Sequence, residues 1–393
     1  MERAELIKLV RATGCAEEVG GFTFLCNPQW TARERKAVPA LEPSVLPKAQ
    51  GRASSIEGEA GWLCVPTGGT SGGIRFARHD ERTLTAAVNG FCAHFDLKRV
   101  NAVDVLPAYH VSGLMARVRC AATGGEHRPW AWKDLETGRW PELGQGDWVL
   151  SLVPTQLQRL LASPAAVAWL RGFRIIFVGG GPVWSELADA AAQAQLPVSL
   201  SYGMTETAAM VAALRPAEFL AGARSSGGAL PHARISLTAE GLVKIAGDSV
   251  FRGYFPGETN AHEFVTEDLG RRDEHGQWHV LGRRDAVIIT GGKKVQPAEV
   301  EAALRASGEF SDVAVVGVPD AEWGQVVVAC YAAAGRAPDL ARVAASLESL
   351  AAFKRPKRLV AVANWPRNAQ GKLNRAALAA AVPPAGEGRI TRH

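Results

Sequence analysis

The stretch FRIIFVGGGPVWSELADAAAQAQLPVSLSYGMTET, residues 173–207, decides the fold class. It opens on a run of β-branched and aromatic residues closed by Gly179, Gly180 and Gly181. It continues through an amphipathic segment and ends on a second apolar run, which reads as strand, turn, helix, strand. The pattern also occurs upstream, where DWVLSLVP (147–154) reads as a buried strand and TQLQRLLASP (155–164) as the helix after it. Such alternation predicts an α/β layer with mainly parallel strands. Ligands of these sheets bind outside the carboxyl ends of the strands, where the glycine turn and the SYGMTET loop (201–207) fall.

Further along, residues 225–282 read as short strands separated by Gly, Asp and Pro, a β-rich subdomain. After GRRD (282–285) the pattern starts again with a helix, a strand–turn–strand and a helix, which predicts a small α+β domain. The expected division is a large domain over 1–284 and a small one over 285–393, ending in a frayed Pro/Gly-rich tail.

Bulk properties narrow the function classes. The 393 residues suggest more than one domain, and 47% hydrophobic with 21% charged residues is ordinary globular composition. The net charge of +5 comes from residues spread along the chain, with no basic block interleaved with aromatics, which argues against nucleic acid and leaves small anions as ligands. Six scattered cysteines form no C-x-x-C pair, which argues against structural zinc and a disulfide scaffold and fits a reducing cytoplasm. No leader and no membrane span are expected, since no apolar run approaches the roughly 20 residues a bilayer requires.

Several short stretches can carry chemistry. In VPTGGTSGGIR (65–75), Thr67, Gly68, Gly69, Thr70, Ser71 and Gly72 are equally an ordinary turn or an anion-binding nest of converging N–H groups and hydroxyls. No lysine precedes the Ser/Thr, so it is not a Walker A loop, and Arg75 is the nearest cation. In SYGMTET, Tyr202 can stack on a base, Gly203 lets the backbone close in, and Glu206 beside Met204 and Thr205 can hold Mg²⁺ next to a phosphate; a strand end with a solvated glutamate fits as well. Asp268 in TEDLG suits two ribose hydroxyls or a simple turn. His110 and Ser112 in PAYHVSGL follow a proline-defined loop, and Lys372 sits on the glycine turn of PRNAQGKLNR.

Taken together and in this order, these stretches resemble the adenylate-forming superfamily of acyl- and aryl-CoA ligases, over about residues 62–380. The resemblance implies an ATP phosphate loop at 67–72 and an acyl pocket at His110 and Ser112. It further implies an adenine and Mg-ATP site at Gly179–Gly181 and Tyr202–Glu206, with Thr205 and His110 joining Glu206 in catalysis. Ribose contacts fall to Asp268, with Arg283 also among the cofactor-binding residues, adenylation falls to Lys372, and Gly291 and Gly292 border the tunnel for CoA. The small domain then rotates about a hinge at Asp285 between the two half-reactions. LPAYHVSGLMARVR (106–119) and FKRPKRLVAVANWPRNAQGK (353–372) are more specifically similar to o-succinylbenzoate-CoA ligases of the cyanobacterial and plastid type. That similarity implies a role in quinone biosynthesis and a partner for the acid's second carboxylate, Arg119 with Arg117 as rival. Other aryl or fatty acyl-CoA ligases, a carrier-loading adenylating enzyme and a non-catalytic binding protein are the alternatives, and a homodimer is possible. This sequence departs from the superfamily pattern at Gly68, where serine is usual, Arg75, where lysine is usual, and Glu267, where glycine is common. About 60 residues precede the phosphate loop, so a reduced amino-terminal subdomain is expected.

Overall fold

The computed structural model describes residues 1–30, 35, 61–68, 74–257, 262–310, 312–332, 337–363, 365–366 and 373–383. They form two compact units. The first comprises Met1–Thr67, Gly73–Thr266 and Arg271–Val280; the second comprises Leu281 onward with Glu267–Gly270.

In the first unit, β1 (Ala16–Val19), β2 (Phe22–Leu25), β3 (Leu63–Gly68) and β4 (Ile74–His79) form a sheet in that order. β1 and β2 run antiparallel and β2 and β3 parallel, so this sheet is mixed. The larger sheet contains β5 (Asn101–Asp104), β6 (His127–Pro129), β7 (Trp148–Leu152), β8 (Ile175–Val178), β9 (Val198–Met204), β10 (Ala209–Ala213) and β11 (Gly228–Ala229). Its order is β11-β10-β9-β8-β7-β5-β6. Pairing is parallel from β6 through β9 and antiparallel at β9/β10 and β10/β11. The expected parallel layer is thus present with an antiparallel edge. The IIFV of β8 is buried on both faces, as a parallel strand covered on two sides must be.

Two helices lie against this sheet for identifiable reasons. Helix Glu81–Phe95 starts at Asp80, whose carboxylate accepts from the N–H groups of Arg82 and Thr83. It delivers Phe91 and Phe95 onto Phe177 of β8, with ring centroids 5.3 and 5.1 Å apart, each burial contributing about 1.5–3 kcal/mol. Helix Val111–Thr123 has His110 at its N-cap and ends at Gly124, in the left-handed region at φ 65°. The β-rich part contains β12 (Ala233–Leu237), β13 (Leu242–Gly247), β14 (Glu263–Arg272) and β15 (Trp278–Arg283), neighbours in that order.

The second unit is built on β16 (Ile288–Thr290), β17 (Lys293–Val295), β18 (Val313–Asp320), β19 (Gly324–Ala332) and β20 (Arg358–Val362). The order is β17-β16-β19-β18, with β20 added parallel to β19. β19 alternates its side chains between two cores. Val327 and Ala329 meet Val300, Leu304 and Leu347 on one face, and Val326, Val328 and Cys330 meet Leu378 on the other. Glu301 of helix Pro297–Ala306 is 1% exposed, and its Oε1 accepts from Arg375 at 2.6 Å and from the Val315 N–H at 2.8 Å. Arg305 approaches Oε2 at 3.7 Å. This network ties helix Arg375–Ala380, N-capped by Asn374, to the sheet.

Candidate active site

Along the sheet, β6-β5-β7-β8-β9 has the 2-1-3-4-5 order of flavodoxin-like layers, whose ligand crevice lies at the carboxyl ends beside the first strand. Residues 107–110 follow β5, Gly179–Gly181 follow β8, and a 3-10 turn over Thr205–Thr207 follows β9. At Gly179 an added Cβ would stand 3.0 Å from Ser201 Oγ, and Gly180 has φ +76°. Gly203 is fixed by close approach, since a Cβ there would lie 2.1 Å from the Ala209 carbonyl oxygen of the paired strand. Behind the turn, Ala208 and Ala209 hold left-handed φ values of 51° and 83°.

Glu206 is the centre of a small polar cluster. It is 6% exposed, and its Oε1 accepts from Thr67 Oγ1 at 3.1 Å and from the Tyr254 hydroxyl at 2.7 Å. The guanidinium of Arg75 stacks 4.1 Å over the Tyr254 ring. The backbone enforces this arrangement, because 252–255 pair with β4 through Arg78 N–H to Gly253 O (2.9 Å) and Phe255 N–H to Phe76 O (2.9 Å). Thr67, Arg75 and Glu206 are thereby brought together as the motifs imply.

His79 is fully buried beneath them. Its Nε2 is 2.7 Å from the Thr205 carbonyl oxygen, which can only accept, so Nε2 carries the proton. Burial pulls its pKa down to about 4, which keeps the ring neutral. Asp80 meets Arg252 at 2.8 Å in a buried pair. Sequence reasoning missed His79, Tyr254 and this pair. The available signals were FARHD directly after the glycine loop and the glycine-flanked aromatic in FRGYF (251–255).

Other expected residues sit apart from this cluster. His110 packs its ring 4.6 Å from Tyr109, and Ser112 is half-buried. Arg119 is 4% exposed, with its guanidinium 4.1 Å over the Phe91 ring, whereas Arg117 lines a cavity of about 400 Å³ with Trp130 and Trp132 at the ends of β5 and β6. Within the second unit, Arg283 grips Asp285 through two bonds of 2.8 Å and stands 3.8 Å from Asp268, and Arg284 grips Glu267 at 2.7 and 2.9 Å. Gly291 and Gly292 form an exposed turn at φ 53° and 73°, with Gly291 against the Trp323 ring. Gly69, Thr70, Ser71, Gly72 and Lys372, and nearly all of the expected frayed tail, lie outside the described residues.

The donor set at Glu206 fits Mg²⁺. Both bonds come from neutral hydroxyls and fall on one oxygen, so the carboxylate charge is not cancelled by any ion pair among the described residues. No group of three or more His, Cys, Asp or Glu is arranged among them to hold a metal alone. A single carboxylate sharing the ion with phosphate oxygens and water is a common magnesium arrangement.

Residues 18–255 match the family described as AMP-binding enzyme, and 299–372 match the AMP-binding enzyme C-terminal domain. The 2-succinylbenzoate–CoA ligase of Geobacillus kaustophilus is 34% identical over 297 residues, 71% of this chain and 60% of that protein. The chain thus spans about three fifths of that relative's length. Among solved structures, o-succinylbenzoate CoA synthetase from Bacillus subtilis with its acyl-adenylate intermediate gives a TM-score of 0.71 at 26% identity, covering 81% of this chain and 69% of that one. The same enzyme with ATP and magnesium gives 0.69 at 25% identity, covering 84% and 73%. The family match spans more than half the chain: this chain belongs to the AMP-binding, adenylate-forming enzyme family.

Proposed function

We propose that the chain activates a carboxylic acid as its acyl-adenylate and transfers the acyl group to CoA, with o-succinylbenzoate as the acid. The observation that carries this reading is Glu206, a buried carboxylate held, among the described residues, by two hydroxyls, that of Thr67 at the end of the glycine-loop strand β3 and that of Tyr254. In the first half-reaction the substrate carboxylate attacks the α-phosphate of ATP, and pyrophosphate leaves. Thr67 and the loop donors bind the β- and γ-phosphates, Arg75 adds positive charge, and Lys372 stabilises charge on the reacting oxygens. Magnesium, when bound at Glu206, neutralises phosphate charge. In the second half the CoA thiol attacks the acyl carbonyl and AMP leaves. A thiol with a pKa of about 8.5 needs no enzyme nucleophile.

The lysine and the thiol compete for one side of the acyl group, so the reading includes rotation about Asp285, which would bring Gly291 and Gly292 to the thiol path. Lys372→Ala should abolish adenylation yet spare thioester formation from supplied acyl-AMP; equal loss of both would sink the two-position account. Arg119→Ala should raise the KM for the acid far more than that for ATP. The six unpaired cysteines support a reducing cytoplasmic setting.

The deciding assay is thioester formation from ATP, CoA and o-succinylbenzoate, with benzoate and a fatty acid as controls. AMP release without thioester would point instead to a carrier protein as acceptor, and no AMP release with any acid would overturn the reading.

A further inference from the structure

Glu206 is oriented by more than the two hydroxyls on its carboxylate. Its Cα lies between two rigid peptide planes, and each plane is held by a donor from outside the turn. The plane after it is held by the Phe251 N–H, which donates to the Glu206 carbonyl at 2.9 Å. The plane before it carries the Thr205 carbonyl, whose two lone pairs take the Ala208 N–H at 3.2 Å and the His79 ring at 2.7 Å. Of these backbone anchors only His79 is a side chain, so it alone is set by the choice of residue.

The turn needs such a hold. Ala208 and Ala209 lie directly behind it at left-handed φ values of 51° and 83°, and strained backbone of this kind persists only where surrounding bonds over-determine it. His79 is itself fixed from the other side. It is the last residue of β4, and its Nδ1 stands 3.1 Å from Thr83 Oγ1 in the first turn of helix Glu81–Phe95. That hydroxyl takes the Asp80 N–H at 3.0 Å and can donate to Nδ1 or to the Asp80 carbonyl at 2.9 Å. Asp80 in turn holds Arg252, the neighbour of Phe251, whose own N–H donates to the Arg78 carbonyl at 2.8 Å. Both peptide anchors of Glu206 therefore share one support, the end of β4 and the segment paired with it.

A neutral ring serves this place better than a cation. It steers the Glu206 peptide without bringing positive charge toward a carboxylate that must attract magnesium. A lysine or arginine there would neutralise Glu206, as Arg375 does Glu301 in the second unit. Groups that orient a metal-binding side chain from behind commonly change metal affinity by about ten- to a hundredfold.

We infer, on the reading of Glu206 as the magnesium carboxylate of an acid-activating site, that His79 is a positioning residue. Its Nε2–H, donated to the Thr205 carbonyl, aims the Glu206 carboxylate at the magnesium that accompanies ATP and so sets how much magnesium strengthens ATP binding. It acts through the Thr205–Glu206 peptide and touches neither nucleotide nor metal.

The test is calorimetric titration of ATP, with magnesium and with a chelator in its place, into the native chain, His79→Leu and His79→Gln, no acid being present. The native chain should bind ATP more tightly with magnesium. His79→Leu keeps the bulk and loses the donor, and should reduce that gain about tenfold while the chelator titration stays unchanged. His79→Gln, whose amide nitrogen can reach the Nε2 position, should keep the gain within about threefold of native. Damage to the fold would weaken both titrations together, so the difference between them reports the aim of Glu206. Should His79→Leu fail to fold, His79→Asn, whose amide stops at the Nδ1 position, takes its place against His79→Gln. No magnesium gain in the native chain, an undiminished gain in the donor-less variant, or an equal loss in His79→Gln would overturn the proposal even if thioester forms. The expected pattern with no AMP released from any acid would instead overturn the ligase reading and leave the positioning role standing.

Discussion

Two buried carboxylates, one in each unit, teach different lessons. Glu301 is enclosed by Arg375, Arg305 and a backbone N–H, so its charge is neutralised within the second unit. Glu206 is buried almost as deeply but, among the described residues, takes only two hydroxyl donors, and its charge is left for something that binds. Burial alone does not mark a functional acid. The identity of its donors does, because a carboxylate saturated by guanidinium groups has no remaining attraction for a metal–phosphate complex.

That contrast can be broken most severely at Glu301. Glu301→Ala leaves Arg375 and Arg305 without their shared partner and should cost about 3–5 kcal/mol of stability, read by denaturant unfolding; a loss under about 1 kcal/mol would show the network to be dispensable. Glu206→Gln should do the reverse, leaving the melting temperature within a few degrees while lowering AMP formation roughly a hundredfold. Retained activity at raised magnesium would place the ion elsewhere.

Beneath Glu206, His79 adds a pH dependence. Its folded pKa of about 4 lies below the unfolded value of about 6.5, so the unfolded chain protonates first. The stability from a neutral His79 is complete above pH 6.5 and falls away toward pH 4, by about 3 kcal/mol in full. Unfolding curves across that range should show the loss, and His79→Gln should flatten it. Tyr254→Phe keeps the ring under Arg75 but removes one donor from Glu206, and should raise the KM for ATP about tenfold or less. Smallest of all, Arg75→Lys keeps the charge and loses the planar stack on Tyr254, so a rise of a few-fold is expected; no change would mean that charge alone matters.

The sequence made the fold's alternation legible because buried parallel strands such as IIFV are short continuous apolar runs between turn glycines. It also marked Thr67, Arg75 and Glu206, since glycine and hydroxyl clusters are local signals. It could not show Tyr254, whose place depends on 252–255 pairing with β4 far away in the chain. His79 stayed hidden for a related reason: a histidine's role is set by the carbonyl it meets, here Thr205. Arg119 and Arg117, two positions apart on one helix, were inseparable by spacing until burial divided them.

The turn behind Glu206 has a consequence for how such a protein can change over generations. Ala208 and Ala209 occupy left-handed backbone that costs an L-residue about 1–2 kcal/mol each. Glycine at either position would relieve that strain, so a selection for heat tolerance would be drawn to these codons. The same exchange would loosen the turn that holds Glu206, two residues before Ala208. Lineages selected for endurance and lineages selected for turnover should therefore part company at this turn before they diverge elsewhere in the pocket.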